Sequence, residues 1–359
     1  MNVIVLSKAG LLNRVSLFFL FTFLLSLLVA CKPFDDVVPM VLQGKTMGTT
    51  YNITIANPAE NLSENELQQG VDQLLLNVNQ QMSTYIDDSE ISQFNKLAIN
   101  RWQTVSTDFI EVALLSQQLS TLSGGRFDVT IGPLIELWGF GRESSSSVPS
   151  DEAITEAKAK VGWQALDIDV DKQQLRKTKP ISVNLSAIAK GFGVDKIAGY
   201  LETNGVENYL VEIGGEIRVK GLSPSDQSWR LGIEKPSLSQ QGAQEIVALS
   251  DASIATSGDY RNYFEENGLR YSHTIDPQTG KPVRHNIASV TVIALTAALA
   301  DGYATALNVM GLDDALSLAK EQQLAAFFIL YDQNQEGGYR EVMTSQFDQY
   351  LAHEREEDL

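Results

Sequence analysis

Residues 271–282, YSHTIDPQTGKP, bring a histidine, an acid and a turn rich in proline and glycine into twelve residues. Residues 271–275 have the composition of a short strand. The proline and glycine that follow end it, because proline fixes φ and glycine tolerates positive φ. His273 is therefore predicted to lie near a strand end, beside a rigid turn, where site residues are often found. A hydrogen-bonded histidine in a purely structural turn is the other interpretation, and this stretch alone favours it.

The segments around this stretch predict an α+β fold. Apolar residues at helical spacing follow Ser63 and again fill residues 107–122. Strand–turn–strand patterns surround Gly48 and the pair Gly214-Gly215. Strands joined by such tight turns pair antiparallel. We therefore expect mixed, mostly antiparallel sheets with packed helices rather than a regular doubly wound sheet.

Residues 183–195, VNLSAIAKGFGVD, form the second informative stretch. A strand is predicted to end before Ser186, whose side chain can cap the helix that follows. Lys190 then falls near the start of that helix, where free N–H groups and the helix dipole favour anions. Gly191 and Gly193 leave room for a ligand or for a neighbouring backbone. The stretch is compatible with a phosphate site, although it matches neither a Walker A loop nor the GxGxxG pattern.

An Ala-rich segment, residues 295–310, is predicted to form a helix that carries Asp301 and Thr305. Side chains four apart on a helix face the same way. A carboxylate and a hydroxyl on an apolar helix suit a hard cation such as Mg²⁺ whose remaining ligands are phosphate oxygens. A carboxylate that accepts a local hydrogen bond on a solvated face is the alternative, and the residues alone leave both open.

The composition of the chain is that of an acidic globular protein. The 359 residues carry a formal net charge of −18 at pH 7, with 43% hydrophobic and 20% charged residues. Both fractions are ordinary for a globular protein. The acidity disfavours general binding to nucleic acid, because Lys and Arg neutralise the phosphate backbone in such complexes. We therefore expect no nucleic-acid partner.

The N-terminus has the features of a bacterial lipoprotein leader. Lys8 and Arg14 precede an apolar run that continues to residue 30 and is short for a membrane span. The run ends in Leu-Val-Ala before Cys31, which resembles a lipobox. Cys31 is the only cysteine, so disulfides within the chain are excluded. An uncleaved anchor helix or a buried thiol is the alternative to lipidation.

Eight segments, taken in order, resemble those of the ApbE family of flavin transferases. The resemblance covers residues 43–330 and agrees with the lipobox. Eight ordered motifs are far more specific than any one of them. The segments are GKTMGTTY, MSTYIDDSEISQFN, GGRFDVTIGPL, VNLSAIAKGFGVD, VEIGGEIRVKG, ATSGDYRNYF, YSHTIDPQTGKP and LADGYATALNVMG.

The resemblance implies an FAD-binding α+β domain with its FAD cleft between sub-domains. It implies Mg²⁺-dependent transfer of FMN from FAD to a threonine hydroxyl of a target protein, through a phosphoester bond and with release of AMP. The targets in the family are subunits of membrane redox complexes, such as sodium-pumping NADH:quinone oxidoreductase and Rnf-type complexes.

The resemblance also implies a set of site residues. The positions that match the FAD site are Met47, Tyr85, Arg126, Phe127, Asp128, Asn184, Lys190 and Ile275. Asp301, Thr305 and the carbonyl of Ala187 match the family's metal ligands. His273 matches the proposed general base. A metal and Lys190 would stabilise charge on the phosphates, and a base would activate the weakly nucleophilic threonine hydroxyl.

These features divide the chain into four expected parts. The parts are a signal peptide at residues 1–30, a lipidated N-terminus and tether at 31–40, the flavin transferase domain at 41–345, and an acidic tail at 346–359. Acyl chains would hold the domain at the bacterial cell membrane, on its periplasmic side.

Two other functions use the same features. An FAD pyrophosphatase would use the same site with water as the acceptor and would give FMN and AMP. The same metal and phosphate-binding residues serve both reactions, so the sequence does not separate a pyrophosphatase from a transferase. A lipid-anchored, non-enzymatic flavin carrier would need neither metal nor base. Asp301, Thr305 and His273 therefore argue against a carrier.

Overall fold

A computed structural model describes four stretches of the chain, residues 38–142, 147–236, 242–258 and 263–352. The described residues from Pro39 onward belong to one compact unit, and the fold below is that of this unit. The expected signal peptide and Cys31 lie outside the described residues. No helix within the described stretches has the length and apolar character needed to cross a membrane.

An eight-stranded sheet forms the centre of the fold. In spatial order its strands are β1 (Met40–Thr46), β2 (Thr49–Ile55), β6 (Tyr209–Ile213), β7 (Glu216–Lys220), β10 (Ala252–Gly258), β15 (Ile287–Ala294), β16 (Ala325–Tyr331) and β17 (Tyr339–Met343). Every neighbouring pair is antiparallel. The pair β2–β6 joins distant parts of the chain, because the facing residues Asn52 and Glu212 are 160 positions apart.

The other strands form smaller antiparallel sheets. One sheet has three strands in the order β3 (Trp102–Thr104), β5 (Gln174–Lys177) and β4 (Leu166–Asp169). The two-stranded ribbons are β8 (Trp229–Glu234) with β9 (Ala243–Leu249), β11 (Tyr263–Glu266) with β12 (Leu269–Ser272), and β13 (Ile275–Asp276) with β14 (Lys281–Pro282). The expected α+β fold with mostly antiparallel sheets is thereby confirmed.

Five of the eight helices in the described stretches begin at a Ser or Thr side-chain cap. The eight helices are α1 (Glu64–Met82), α2 (Glu90–Lys96), α3 (Thr107–Leu122), α4 (Gly132–Leu137), α5 (Asp151–Lys158), α6 (Ala189–Thr203), α7 (Ala297–Met310) and α8 (Leu312–Glu321). Ser63 Oγ accepts a hydrogen bond from the N–H of Glu66 at the start of α1. Ser106 and Thr296 cap α3 and α7 in the same way.

The central sheet is covered on both faces, and β16, AAFFILY, shows why. Successive side chains of a strand point to opposite faces. Phe328 and Leu330 join the core made with the helices, while Phe327 and Ile329 join the core made with the ribbon β8–β9. A strand that is apolar throughout is stable only where both faces are buried.

Residues 271–275, which the sequence predicted as one strand, form two. β12 ends at Ser272 and β13 begins at Ile275, so His273 and Thr274 lie in the gap. The N–H of Thr274 donates to Ser272 Oγ at 3.1 Å. This local bond replaces strand pairing, as hydroxyl side chains do in turns.

The predicted cap of α6 is also different. The helix begins at Ala189, and its N-cap residue Ile188 makes no side-chain cap. Ser186, the predicted cap, lies three residues before the helix, and its N–H donates to Asn184 Oδ1 at 2.9 Å. The amide of Asn184 therefore closes a turn before the helix, and this turn displaces the start of α6 toward Lys190.

Candidate active site

A cleft of about 840 Å³ opens beside the middle of the central sheet. Its walls come from β7, β8 and β10, from α6 and α7, and from loops near residues 126–131, 184–187 and 273–277. These elements are far apart in sequence, so the cleft exists only in the folded protein. One part of the wall carries charged side chains, and another is bordered by aromatic rings.

The charged part of the wall rests on the crossing of α6 and α7. Gly191, in the first turn of α6, lies so close to α7 that an added Cβ would be 2.3 Å from the carbonyl oxygen of Ala297. Asp195, one turn later, accepts the N–H groups of Ala297 and Ala298, each at 2.9 Å. The carboxylate thus satisfies free donors at the start of α7. The absence of a side chain at Gly191 therefore allows the backbones of the two helices to come into contact.

Three charged side chains meet at this crossing. Lys190 Nζ is 2.7 Å from Glu216 Oε2 and 3.9 Å from Asp301 Oδ2. Asp301 Oδ2 also accepts the N–H of Gly191 at 3.1 Å. Both acids are buried, whereas the side chain of Lys190 is 30% exposed and lines the cleft. A single ammonium therefore lies between two buried carboxyl groups.

Burial is the strongest influence on the acidity of all three groups. It raises the pKa of Glu216 and of Asp301, and the charge of Lys190 opposes that rise. Burial lowers the pKa of Lys190, but the charges of Asp301 and Glu216 outweigh it and raise that pKa overall. Lys190 therefore keeps its positive charge at neutral pH, which suits it to bind phosphate.

The oxygen donors predicted to bind a metal lie in the same cleft. Asp301, Thr305 and Ala187 all line it, with Asp301 and Thr305 one helical turn apart. Carboxylate, hydroxyl and carbonyl oxygens are the ligands that Mg²⁺ prefers. Within the described stretches, no group of three or more His, Cys, Asp or Glu side chains could hold a metal ion. The donors fit Mg²⁺ if water or phosphate oxygens complete the shell.

Asn184 lies on a loop that is held by hydrogen bonds to Asn95 and to the backbone of Val129. The side chain of Asn95 donates to the carbonyl of Val183 at 2.8 Å and accepts its N–H at 2.7 Å. The N–H of Asn184 donates to the carbonyl of Val129 at 2.7 Å. Asn184 therefore lines the cleft and also shapes the loop through its own amide oxygen.

The segment 126–128 borders the cleft, but the side chains of Arg126 and Asp128 bind other residues of the protein. Arg126 forms an ion pair with Asp276 at 3.2 Å. The carboxylate of Asp128 accepts the N–H groups of Thr130 at 2.8 Å and Trp163 at 3.1 Å. Burial raises the pKa of Asp128, while these hydrogen bonds oppose the rise. These interactions hold the loop that forms the wall.

His273 is bordered by a series of aromatic rings. Its imidazole meets the ring of Phe140 edge to face, with the centroids 6.4 Å apart. Phe140 packs on Phe264 at 5.6 Å, Phe264 stacks on Tyr271 at 5.1 Å, and Tyr271 stacks on Trp138 at 5.7 Å. These rings belong to a small core formed with α4 and α5, distinct from the cores of the central sheet.

The family model described as the ApbE family matches residues 47–328. The chain belongs to the ApbE family. It is similar to the FAD:protein FMN transferase of Vibrio cholerae, with 45% identity over 331 residues, 91% of this chain and 97% of the relative. It is also similar to the FAD:protein FMN transferase of Haemophilus influenzae, with 42% identity over 314 residues, which cover 86% of this chain and 90% of the relative. The solved structure of flavin transferase ApbE from Vibrio cholerae has a TM-score of 0.81 and 44% identity, covering 88% of this chain and 99% of that chain.

The cleft brings together most of the residues that the ApbE resemblance implied. Those that line it are Arg126, Phe127, Asp128, Asn184, Ala187, Lys190, His273, Ile275, Asp301 and Thr305. Met47 and Tyr85 are not among the described residues that line it. Met47 lies half-buried in the turn between β1 and β2, and Tyr85 is 62% exposed. The role of these two residues in binding FAD stays a prediction.

Sequence reasoning gave no role to Glu216, although it lies in one of the ApbE segments. The signal is the turn before it. Gly214 and Gly215, with φ of 57° and 102°, fix the register of the hairpin. That register places Glu216 directly opposite the apolar residue Ile213. Opposite residues share a face of the sheet, so the pattern places the acid on the face of Ile213, and the helix packed on that face buries it.

Proposed function

We propose that this chain transfers FMN from FAD to a threonine hydroxyl of an acceptor protein, with Mg²⁺ as cofactor and AMP as the released product. The observation that carries the proposal is that one cleft holds Lys190, the oxygen donors Asp301 and Thr305, and His273. The relatives from Vibrio cholerae and Haemophilus influenzae are named FAD:protein FMN transferase, which supports the same reaction.

The reaction assigns each group a task. The threonine oxygen forms a bond to the phosphorus of the FMN half, and the bond from that phosphorus to the AMP oxygen breaks, with its electron pair leaving on AMP. His273 takes the threonine proton as general base. Lys190 binds phosphate oxygens and offsets their charge. Bound Mg²⁺ would be held by Asp301, Thr305 and the Ala187 carbonyl, and it supplies Lewis-acid stabilisation of the phosphates.

The acceptors that we propose are subunits of membrane redox complexes, either sodium-pumping NADH:quinone oxidoreductase or an Rnf-type complex. The test incubates the full chain with such a subunit, FAD and Mg²⁺, followed by mass spectrometry of the subunit. We expect a covalent FMN adduct on threonine, and no adduct on a subunit whose acceptor threonine is replaced by alanine. Free FMN and AMP without an adduct would instead show a pyrophosphatase. Bound but intact FAD would show a carrier.

We also propose that Cys31 is lipidated and tethers the domain to the bacterial cell membrane on its periplasmic side. The support is the basic and apolar leader that ends in Leu-Val-Ala-Cys. We expect Cys31→Ala to give a soluble or unprocessed form in membrane fractionation. Unchanged processing and membrane association of that variant would contradict the anchor.

A further inference from the structure

Lys190 lies between two acids that hold it unequally. Its ammonium is 2.7 Å from Glu216 Oε2 but 3.9 Å from Asp301 Oδ2. Asp301 also accepts the N–H of Gly191, so that carboxylate has a second bond to satisfy. Glu216 is therefore the closer charged partner of Lys190.

The two acids differ in what the proposed reaction requires of them. Asp301 is a proposed ligand of Mg²⁺, and a bound cation would repel the ammonium of Lys190 from that carboxylate. The side chain of Lys190 is long and 30% exposed, so it has room to swing away from the phosphates. A second acidic side chain that does not bind the metal would keep it in place.

We propose that Glu216 is this anchor, a positioning residue that holds Lys190 toward the FAD phosphates. The inference rests on the proposed function for the identity of the phosphate ligand. Glu216 acts through Lys190, and it neither takes part in bond making nor binds the metal. Nothing in the motif that contains it, VEIGGEIRVKG, assigns it this task.

The geometry of Glu216 suits an anchor. It is the first residue of β7, directly after the turn Gly214-Gly215, and it is 3% exposed. A buried side chain at a hairpin corner has few rotamers available. The carboxylate therefore has a fixed position on the central sheet, independent of the helices that carry Lys190 and Asp301.

The contact between Glu216 and Lys190 also leaves the ammonium free to bind a ligand. The two charged atoms are 2.7 Å apart, so one N–H of the ammonium is directed at the carboxylate of Glu216. An ammonium has three donors, so others remain available to phosphate oxygens in the cleft.

A buried ion pair with a purely structural role is the competing explanation. Removing one partner of such a pair is strongly destabilising, because the other charge stays buried and uncompensated. Loss of activity in a single variant would then reflect only poorer folding. The experiment therefore has to measure coupling between the two residues.

The test is a double-mutant cycle in the full chain with Glu216→Gln, Lys190→Met and the double variant. Three quantities are measured for each protein: the thermal unfolding midpoint, the FAD affinity at equilibrium, and kcat/KM for FMN transfer. Asp108→Asn is the matched control. It removes the acid that lies 2.9 Å from Lys196, another lysine of α6, outside the residues that line the cleft.

We expect Glu216→Gln to weaken FAD binding and to lower kcat/KM about 10- to 100-fold, as loss of a supporting partner does at a metal site. In the Lys190→Met background the same change should alter kcat/KM by no more than about twofold, because no ammonium is left to position. The thermal unfolding midpoint of Lys190→Met should be lower than that of wild type. The midpoint of the double variant should lie between the two. The control should match wild type in FAD affinity and kcat/KM.

Two results would overturn the inference. One is an equal loss of kcat/KM from Glu216→Gln with and without Lys190, and the other is a Glu216→Gln protein with unchanged FAD affinity and kcat/KM. If Lys190→Met does not fold, Lys190→Gln takes its place in the cycle. A wild-type protein that binds FAD but transfers no FMN would refute the proposed function, while the affinity and unfolding measurements would still decide the role of Glu216.

Discussion

The charged and the aromatic parts of the cleft are built by different means. Lys190 and Asp301 lie on two helices that touch through backbone at Gly191, where no added atom fits. His273 lies in a two-residue gap between short strands, beside the ring of Phe140 and a small core of its own. Backbone contacts leave no room for adjustment, whereas stacked rings can re-pack by small rotations. The charged part is thus the rigid one.

This difference predicts a division of tasks. A rigid set of charges suits the binding of metal and pyrophosphate, where preorganised charge stabilises the reacting phosphates. A base on a short loop can adjust to the hydroxyl of an incoming protein. Changes in the charged part should therefore alter metal dependence and FAD affinity, while changes at the histidine should alter the rate of transfer.

Asp301→Ala is expected to have the largest effect, and it tests the charged part directly. It removes the only carboxylate among the proposed ligands and also the acceptor of the Gly191 N–H. Mg²⁺-dependent turnover should be lost, and FAD affinity should no longer respond to Mg²⁺. Thr305→Ala, which removes a neutral ligand, should retain part of both. Turnover and FAD binding are measured against Mg²⁺ concentration, and an unchanged response in folded Asp301→Ala would place the metal elsewhere.

His273→Ala tests the aromatic part. We expect FAD affinity to be retained and transfer to slow by about 10²–10⁴-fold, the range that general bases contribute. His285→Ala is the control, because His285 does not belong to the residues that line the cleft. Rapid single-turnover measurements with saturating FAD separate the rate of transfer from binding. Near-normal transfer by a folded His273→Ala protein at neutral pH would remove this residue from the role of base.

Gly191→Ala measures the rigidity of the helix crossing. The added methyl would be 2.3 Å from the carbonyl oxygen of Ala297, so helices α6 and α7 must separate. Overpacking of this kind costs about 1–3 kcal/mol in the free energy of unfolding. Gly199→Ala in the same helix has no described atom within 4 Å of the new methyl, and it should stabilise by about 0.5–1 kcal/mol. Denaturant unfolding gives the free energy of unfolding of each variant relative to wild type. Equal changes in the two variants would show that helices α6 and α7 separate at little energetic cost.

The smallest effect concerns pH and separates His273 from His285. Burial lowers the pKa of His285, while its bond to the carbonyl of Asn308 and the charge of Asp276 oppose the shift. A folded-state pKa below the unfolded one means that the unfolded chain binds more protons. The contribution to stability is full above about pH 6.5 and is lost as the pH falls from there through the folded-state pKa.

His285→Gln should remove that part of the acid dependence of unfolding and leave the pH dependence of transfer unchanged. The measurement is the free energy of unfolding against pH for wild type and variant. Parallel curves across this range would mean that His285 titrates as it does in the unfolded chain.

The sequence predicted the elements with local signals. The helix over residues 107–122 has the bounds of α3, and Gly48 and the pair Gly214-Gly215 mark hairpin turns as expected. The oxygen pair Asp301 and Thr305 was also predictable, because helical spacing alone places both on one face. Each of these features depends on neighbours along the chain.

What the sequence did not predict is one local turn and several contacts between distant segments. Ser186 is a good capping residue, but the turn that its N–H closes with Asn184 lies before the start of the helix at Ala189. Glu216 is an acid after a tight turn, a position that is usually solvated, and its burial follows from the pairing of β6 with β7 against the helices. The ring series around His273 joins residues more than 120 positions apart, such as Phe140 and Phe264. No local pattern specifies such a contact.

The pairing of β2 with β6 has a consequence for how the chain folds. The hairpin β1–β2 is local and can form early, but the strand that pairs with the open edge of β2 follows about 160 residues later. Closing such a loop is entropically costly and slows folding. Until residues 209–213 arrive, that edge exposes unpaired N–H and C=O groups that could pair with another chain. Refolding at high protein concentration should therefore favour aggregation through this hairpin, and the yield of folded protein should rise when the chain is dilute or bound by a chaperone.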